Sequence, residues 1–268
     1  MVRLVSWNVA RRDLWNDLNG NGADLALLQE ARAPRTGQVL EVHPDVSGDW
    51  TTAATVPLRF CTAVARLSDR VGVVARPTFG HDVATAAGSW IVSRQGTVAA
   101  ADVTRDGQVL FTAVSVYAPW EMATSRGYAD ASAHRILSDL SALMGRRHRL
   151  VVAGDWNILR GYGEYGDRWF EKRYATVFER ADALGLRFVG PDYPSGRRAD
   201  PWPEELPLDS LCVPTFHHSQ QTPATATRQL DFVFASVSLA DRVAVGALNE
   251  VDDWGPSDHC RLLIDVNV

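Results

Sequence analysis

The chain has 268 residues, of which 46% are hydrophobic and 22% are charged, and its formal net charge is −5 at pH 7. This length and apolar content allow a large hydrophobic core and argue against intrinsic disorder. The negative balance argues against a uniformly basic nucleic-acid-binding protein, although a local basic patch is compatible with it. Lys172 is the only lysine, so arginine, which can contact phosphate in a bidentate manner, carries nearly all of the positive charge. Genome composition explains this bias equally well.

The three cysteines, Cys61, Cys212 and Cys260, match neither a disulfide framework nor the spacing of a zinc site. The first residues resemble a strand rather than a signal peptide, and no apolar run reaches transmembrane length. We therefore expect a soluble protein of a reducing compartment, the cytoplasm, with no membrane span and no obligate protein partner.

The first half of the chain is predicted to be rich in strands. The apolar pattern predicts a strand at 2–9, a short helix at 11–18 that ends at the Asn-Gly pairs of 19–22, and a strand at 24–29 that ends at Glu30. Residues 31–48 are expected to form a loop with one helical turn. Short β-rich runs separated by turn residues then predict a layer of hairpins, at 50–55, 61–67, 72–75, 89–93 and 97–103.

The second half alternates strands with long helices. Strands are predicted at 109–117, 150–153, 230–235, 243–248 and 260–266, and helices at 130–144 and 170–184. Residues 190–229, rich in Pro, Arg, Asp and Thr, are predicted to form a long ordered loop with a functional role. Because no linker or repeat divides the chain, we expect one α/β domain over residues 1–268, with two sheets packed face to face and helices outside.

The most informative stretch is VVAGDWN at residues 151–157. Its apolar residues predict a buried strand, Gly154 permits a tight turn, and Asp155 and Asn157 then follow the carboxyl end of the strand. Sheets of α/β proteins commonly build their sites in this way. An isolated GDxN sequence is better explained by an Asx-turn that caps the next segment, so the functional interpretation depends on the other strands.

Polar residues also stand at the ends of several other predicted strands. Five lie at or just past the end of a strand and three lie at or just before a start, in chain order Asn8, Glu30, Tyr117, Asp155 and Asn157, then Asp231, Asp258 and His259. Each one, taken singly, fits a turn residue, a cap, a solvated strand end or an interface aromatic. If the last strands run antiparallel to the earlier ones, however, all eight lie at one edge of the core, which turn chemistry does not explain.

These residue types fit one chemistry. Carboxylate and amide oxygens are hard ligands that suit Mg²⁺ or Mn²⁺ rather than Zn²⁺. A histidine beside a carboxylate is held in one tautomer and can bind phosphate or transfer a proton. A metal ion, a histidine and a water-orienting carboxylate together suit in-line attack on phosphorus.

Six motifs resemble, in order, those of the endonuclease/exonuclease/phosphatase superfamily: SWNV at 6–9, LLQE at 27–30, VSVYAP at 114–119, GDWN at 154–157, QLDFVF at 229–234 and SDHC at 257–260. That superfamily includes deoxyribonuclease I, exonuclease III, apurinic endonucleases, deadenylases, inositol-polyphosphate phosphatases and sphingomyelinases. The resemblance covers nearly the whole chain. It implies a four-layered α/β sandwich with two central mixed sheets, in agreement with the predicted elements.

The resemblance also implies a role for each motif residue. It implies three ligands to Mg²⁺, for which Mn²⁺ could substitute, namely Glu30 with Asn8 and Asp258. Asp155 would orient or deprotonate the attacking water, and Asn157 would support that carboxylate or contact the phosphate. His259, held by Asp231, would bind a non-bridging oxygen of the scissile phosphate. Tyr117 would contact the phosphate or tune the nucleophile.

Some positions depart from the subfamily patterns. After SWNV the chain has Ala10-Arg11 where apurinic endonucleases have Asp-Gly, and after LLQE it has Ala31-Arg32 where they have Thr-Lys. These differences argue against base-excision repair. Residues 213–216, VPTF, resemble an element of the phosphatase members, but the basic run that would contact ring phosphates is missing. Residues 158–210 match no subfamily.

The leading hypothesis is a Mg²⁺-dependent nuclease that hydrolyses DNA phosphodiester bonds by in-line attack of water. Loop arginines near the motifs would follow the phosphate backbone, and an ordinary solvated surface explains them equally well: Arg11, Arg12, Arg160, Arg168, Arg197, Arg198 and Arg228. Trp202 and Phe216 would stack on an unpaired base. The alternatives are a phosphodiesterase or phosphatase acting on a phospholipid headgroup or a small phosphate ester, and a non-catalytic binding module of the same fold.

Overall fold

The computed structural model describes residues 1–35, 37–53, 57–81, 89–122 and 127–268. Its strands are β1 (Val2–Asn8), β2 (Leu25–Ala31), β3 (Glu41–His43), β4 (Cys61–Arg66), β5 (Gly72–Arg76), β6 (Thr78–Phe79), β7 (Trp90–Ile91), β8 (Val98–Arg105), β9 (Gln108–Tyr117), β10 (Glu121–Met122), β11 (Gly127–Tyr128), β12 (Leu150–Asp155), β13 (Leu186–Gly190), β14 (Asp231–Ser236), β15 (Val243–Leu248) and β16 (Arg261–Val266). Its helices are α1 (Asp130–Leu140), α2 (Arg168–Ala183) and α3 (Val237–Ala240), with 3-10 helices at Trp15–Asn21, Ser141–Leu143, Glu164–Gly166 and Pro223–Thr225.

Two six-stranded sheets form the centre of the fold. The strand order is β15-β16-β1-β2-β4-β3 in the first sheet and β13-β14-β12-β9-β8-β5 in the second. β1 pairs with β2, and β9 pairs with β12, in parallel, whereas the other neighbours in both sheets are antiparallel. The late strands β14 and β16 therefore run antiparallel to β12 and β1. This is the condition under which the predicted polar positions share one edge.

The two sheets pack face to face through apolar side chains. Leu4 and Leu25 of the first sheet and Val151 and Val233 of the second are fully buried in this interface. The opposite face of β12, with Val152, packs beneath α1 and α2. Because β12 is covered on both faces, its sequence is a continuous apolar run rather than an alternating one.

The outer face of the first sheet is covered by the 3-10 helix Trp15–Asn21 and by Trp50. The order of layers is therefore helix, sheet, sheet and a thin outer layer. This confirms the predicted four-layered α/β sandwich with two mixed sheets. In the part of the chain that the structure describes, no helix combines the length and apolar character needed to cross a membrane.

Some predicted elements in the first half are wrong. No helix covers 11–18, because left-handed backbone at Ala10 (φ 49°) and Arg11 (φ 64°) turns the chain, and only a 3-10 helix follows from Trp15. The described residues of 31–48 contain β3 instead of a helical turn. The strand predicted at 89–93 shortens to β7. Of 50–55, residues 54 and 55 lie outside the described residues, and Thr52 forms an isolated bridge with Leu58.

The second half follows the predictions more closely. Both long helices and the strands β9, β12, β14, β15 and β16 form where they are predicted. Residues 191–230 contain no strand and only a short 3-10 helix at Pro223–Thr225, which confirms the long loop. β13 was not predicted. It begins directly after Gly185, whose φ of 77° ends α2, and it is only five residues long.

Asp24, which directly precedes β2, lies in a polar network away from the strand ends that carry the motifs. Its carboxylate accepts hydrogen bonds from the backbone N–H of Arg3 (3.0 Å), the Ser68 hydroxyl (2.5 Å) and the Arg70 guanidinium (2.7 Å). Burial by itself raises the pKa of the Asp24 carboxyl, but these donors together lower it below its usual value of 3.8. The folded state therefore favours the charged carboxylate.

Candidate active site

Three neighbouring strands of the second sheet align three polar side chains. In register, Tyr117 of β9 lies beside Asp155 of β12, which lies beside Asp231 of β14. Gly154 directly precedes Asp155 and has a φ of 152°, and a Cβ atom at this position would lie 2.0 Å from the carbonyl oxygen of Val116. Only glycine allows β12 and β9 to approach this closely, so Gly154 is required for the placement of Asp155.

The Asp155 carboxylate is 1% exposed and is held from both sheets. Asn8 Nδ2 donates to Asp155 Oδ2 at 2.9 Å. The backbone N–H of Asn157 donates to Oδ1 and its Nδ2 donates to Oδ2, both at 3.0 Å. The backbone contact is the Asx-turn that an isolated GDxN sequence predicts. An Asx-turn does not require the hydrogen bond from Asn8, which lies on the other sheet. This bond connects the Asp155 carboxylate to a wider polar cluster.

His259 lies between two carboxylates. Its Nδ1 is 2.8 Å from Asp231 Oδ2, and its Nε2 is 3.8 Å from Asp155 Oδ2. None of the three side chains is more than 5% exposed. The Phe216 ring packs against the imidazole with 4.8 Å between centroids. The imidazole is thus fixed by Asp231 on one side, so that its other nitrogen faces Asp155.

Burial and mutual charge shift the pKa values of these groups. Burial raises the pKa of the Asp155 carboxyl to about 7, with Asp231 adding to the rise and His259 opposing it. Burial lowers the pKa of the His259 imidazole, but the Asp231 and Asp155 carboxylates outweigh it and raise that pKa to about 10. At neutral pH the imidazole is therefore cationic. A carboxyl with a pKa near neutrality suits a group that accepts a proton during a reaction.

Thr215 couples the two halves of the His259–Asp231 pair, and sequence reasoning missed it. Its hydroxyl accepts the backbone N–H groups of Leu230 (3.0 Å) and Asp231 (3.1 Å). Its carbonyl accepts the N–H of Cys260 at 2.9 Å. The sequence signal that could have identified Thr215 is its position in the VPTF segment.

Trp120 and Ser257 were also missed by sequence reasoning. Trp120 Nε1 donates to Asn157 Oδ1 at 3.1 Å.

Glu30 stands at an irregularity in β2. The register between β2 and β4 shifts between Leu28 and Ala31, and Glu30 has a φ of 50°. Its carboxylate, 14% exposed, lies 3.0 Å from the Nε of Arg11. Burial, followed by the charges of Glu30 and Asp155, raises the pKa of Tyr117 well above its usual range. Tyr117 is thus a neutral hydroxyl that can donate a hydrogen bond, not a phenolate.

The predicted metal ligands come from segments that contact one another. β1 and β2 are parallel neighbours, and the backbone N–H of Val9 bonds the Gln29 carbonyl at 3.0 Å, which places Asn8 next to the strand that carries Glu30. The Ser257 hydroxyl lies 2.6 Å from the Asn8 carbonyl oxygen and 3.3 Å from Asp258 Oδ1. These oxygen donors fit a hard divalent cation, and nitrogen or sulfur ligands are not needed.

A second group of ligand types overlaps this region. Among the residues described, the side chains of Asp155, Asp231 and His259 place one ligand atom each within 4.8 Å of one another. The Asp231–His259 hydrogen bond already uses two of these groups, and burial, with the charge of Asp231, raises the pKa of the Asp155 carboxyl to about 7, which weakens it as a metal ligand at neutral pH. The cation prediction therefore stays with Glu30 and its neighbours. The roles of all these residues stay predictions.

The predicted substrate-binding arginines have protein partners. Arg12 donates to the Pro256 carbonyl, and Arg160 pairs with Asp192 while its guanidinium lies 4.4 Å from the centroid of the Phe188 ring. These contacts give each arginine a structural explanation. Binding of substrate by Arg12 and Arg160 stays a prediction.

Arg197 and Arg198 hold the loop of residues 191–230 together. Arg197 Nη2 donates to the Pro223 carbonyl at 2.7 Å. Arg198 Nη2 donates to the carbonyls of Leu208 (2.9 Å) and Ser210 (2.8 Å). Both guanidinium groups are half-buried among backbone acceptors, which favours a role in loop structure. Contact of Arg197 and Arg198 with substrate stays a prediction.

Arg228 lies three residues before Asp231 in the chain, and Phe216 connects it to His259. Phe216 forms backbone bridges to both Arg228 and His259, so the three segments are adjacent. Arg228 also pairs with the buried Glu164 at 2.8 Å. Phe216 packs on His259, so its predicted stacking on a base would use the remaining part of the ring.

Comparisons with known proteins agree with this architecture. The model of the Endonuclease/Exonuclease/phosphatase family matches residues 5–259. No curated protein sequence matches the chain significantly.

Three solved structures are similar over their full length. An AP endonuclease from Archaeoglobus fulgidus has a TM-score of 0.61 and 16% identity, with 100% of both chains covered. The 3′-5′ exonuclease NExo from Neisseria meningitidis has a TM-score of 0.60 and 17% identity, again with 100% of both chains covered. The endonuclease domain of TRAS1, a telomere-specific non-LTR retrotransposon, has a TM-score of 0.63 and 16% identity, covering 100% of this chain and 99% of that one. At these identities the likeness establishes the fold.

Proposed function

The chain belongs to the endonuclease/exonuclease/phosphatase family, and from this premise we propose that it is a Mg²⁺-dependent phosphodiesterase that cleaves DNA. The observation that carries the proposal is the buried arrangement of Asp155, His259 and Asp231, with an imidazole fixed between two carboxylates. DNA is the favoured substrate because the similar structures are named as AP endonucleases and a 3′-5′ exonuclease.

In the proposed reaction, Asp155 accepts a proton from the water whose oxygen attacks phosphorus. The P–O bond to the leaving sugar oxygen breaks, and that oxygen takes a proton from solvent. Its pKa of about 7 suits a base that works near neutral pH. The hydrogen bonds from Asn8 and Asn157 fix the carboxylate, so it does not have to reorient as the proton moves. A mobile carboxylate would lose part of this advantage, since positioning supplies much of the rate in such reactions.

His259 balances the charge that develops on the phosphate. Its Nε2 is free of the Asp231 hydrogen bond and, because the imidazole is cationic at neutral pH, it can donate to a non-bridging oxygen. Asp231 keeps the ring in one orientation. Tyr117, as a neutral hydroxyl beside Glu30 and Asp155, supplies a further hydrogen-bond donor at the same edge.

Glu30, Asn8 and Asp258 would hold the cation. When bound, Mg²⁺ would supply Lewis-acid stabilisation of charge on the phosphate. Their carboxylate and amide oxygens suit Mg²⁺ or Mn²⁺. The proposal does not depend on a second metal ion.

One observation favours the second candidate function, a phosphodiesterase or phosphatase for a phospholipid headgroup or small phosphate ester. In the loop of residues 191–230, Leu208 is 84% exposed and Leu211 is 48% exposed. Exposed apolar side chains on a loop can contact a lipid surface. Glu204, Glu205 and Asp209 flank them, however, and these charges oppose insertion between anionic lipids.

The test is a turnover screen of the purified protein with Mg²⁺, with Mn²⁺ and with EDTA. The substrates are plasmid DNA, single-stranded DNA, RNA, inositol phosphates and sphingomyelin. We expect cleavage of DNA that stops in EDTA. Turnover of sphingomyelin or an inositol phosphate with no cleavage of nucleic acid would favour the second candidate, and turnover that survives full chelation would exclude the metal-dependent mechanism.

Glu30→Gln tests the metal assignment within the same screen. The variant keeps the shape of the side chain but removes the anionic ligand, so we expect a large loss of activity, partly restored by higher Mg²⁺ or Mn²⁺ concentration. Glu179→Gln, an exposed position on α2, is the matched control and should keep wild-type turnover. Unchanged metal dependence in Glu30→Gln would contradict the assignment.

A further inference from the structure

Arg11 forms an ion pair with Glu30, the carboxylate that the proposed function assigns to the metal. Its Nε lies 3.0 Å from Glu30 Oε2, and its backbone N–H donates to the Glu30 carbonyl at 3.1 Å. Both residues adopt left-handed backbone, with φ values of 64° and 50°. The guanidinium also lies 5.7 Å from the centroid of the Phe60 ring. Side chain and backbone therefore both direct Arg11 to Glu30.

This contact has a consequence for any cation at Glu30. A guanidinium carries positive charge but has no lone pair to coordinate a metal. It can therefore neutralise the carboxylate but cannot serve as a metal ligand itself. A divalent ion that uses the same carboxylate must displace Arg11 or bind against its charge. The Arg11 side chain is 58% exposed, whereas that of Glu30 is 14% exposed, so the arginine is the partner that is free to move.

We propose that Arg11 competes with the divalent cation for Glu30, and so keeps the affinity of the substrate-free enzyme for metal low. This inference rests on the proposed function, because it takes Glu30 as a metal ligand. When the cation occupies Glu30, the guanidinium is released at the edge of the site. There it can pair with a phosphate oxygen of the substrate, for which arginine is well suited.

The size of the competition follows from the exposure of the pair. Partly exposed ion pairs contribute at most a modest free energy, which corresponds to about a fivefold change in a dissociation constant. Removing the charge of Arg11 should therefore tighten metal binding by about fivefold. Because Glu30 is well shielded from water, the upper end of the range for exposed pairs applies.

The test is titration of the full-length protein with Mn²⁺ in the absence of substrate, following free Mn²⁺ by electron paramagnetic resonance. Arg11→Met keeps the length and apolar stem of the side chain but removes its charge. We expect its Kd for Mn²⁺ to be about fivefold lower than that of the wild type. Arg105→Met is the matched control. It removes the same charge at the end of β8 opposite the site, and its Kd should equal that of the wild type.

A second pair of proteins shows whether the effect passes through Glu30. In a Glu30→Gln background, Arg11→Met should no longer tighten Mn²⁺ binding, since the carboxylate for which Arg11 and the cation compete is gone. A Kd of Arg11→Met for Mn²⁺ that is equal to or higher than that of the wild type would overturn the inference while leaving the metal assignment standing. Absence of Mn²⁺ binding in both the wild type and Arg11→Met would overturn the metal assignment and the inference together. Circular dichroism spectra identical to the wild type establish that each variant is folded.

Discussion

The contact between His259 and Asp231 gives the sharpest prediction about the site. If Asp231 acts by orienting the imidazole, the two residues form one unit, and removing the second after the first should cost little. The perturbations are His259→Ala, Asp231→Asn and the combination. Asparagine retains the size of Asp231 but cannot supply the negative charge that raises the pKa of His259.

The structure sets the expected magnitudes. The Nδ1–Oδ2 distance is 2.8 Å, and both side chains are at most 5% exposed. Hydrogen bonds to charged groups contribute about 1.5–3 kcal/mol, which corresponds to roughly a 10- to 150-fold loss of kcat/KM in Asp231→Asn. Loss of one hydrogen-bond donor that stabilises charge in the transition state costs about 10²- to 10³-fold, which is the range expected for His259→Ala. The double variant should equal His259→Ala within about 0.5 kcal/mol.

The assay measures kcat/KM for the best substrate of the turnover screen, with thermal unfolding of every variant as a check on folding. His148→Ala is the matched control, because that histidine contacts the Ser236 hydroxyl at 2.6 Å near the opposite end of β12. Its kcat/KM should equal that of the wild type. Losses that multiply in the double variant would show that Asp231 and His259 act independently, and the orienting role would then be wrong.

Two further predictions concern stability. Gly154→Ala should lower the free energy of unfolding by about 1–3 kcal/mol or more in chemical denaturation, because the new Cβ would lie 2.0 Å from a backbone oxygen of β9. Gly145→Ala is the control and should have little effect, since a Cβ at that position would meet no atom within 4 Å. Asp24→Asn should cost about 1–3 kcal/mol at neutral pH. Because the folded-state pKa of Asp24 is lowered, that stabilisation is present above pH 3.8 and is lost as pH falls through the folded pKa, so wild-type and Asp24→Asn unfolding curves should converge in acid. A constant difference down to acid pH would contradict this account.

Much of the candidate site could be predicted because strand ends are visible in the sequence. Continuous apolar runs such as that of β12 mark strands covered on both faces, and a polar residue at the end or the start of such a run marks where the strand leaves or enters the core. Asp155 and Asp231 were found in this way, and the register of β12 and β14 places them side by side. The antiparallel direction of the last strands was the one condition that sequence pattern left open.

The remainder depends on backbone geometry that residue type does not encode. Neither Arg11 nor Glu30 is a residue that favours left-handed backbone, yet both adopt it, and their ion pair follows from it. The helix predicted at 11–18 is wrong for the same reason. Thr215 was missed because its hydroxyl accepts N–H groups from residues 15 and 16 positions away, and only the folded loop brings them together.

The site also depends on how the two sheets are packed, because its parts are divided between them. Asn8 and Glu30 belong to the first sheet, whereas Asp155 belongs to the second, and the Asn8–Asp155 hydrogen bond crosses the interface. One step further into the core, Gln29 Nε2 donates to the Ser115 hydroxyl at 2.9 Å, also between the sheets. A shift of one sheet would leave these buried polar groups without partners, which costs far more than sliding an apolar contact. The polar bonds therefore fix the distance between the proposed cation ligands and the proposed base, and positioning of this kind is what in-line attack on phosphorus requires.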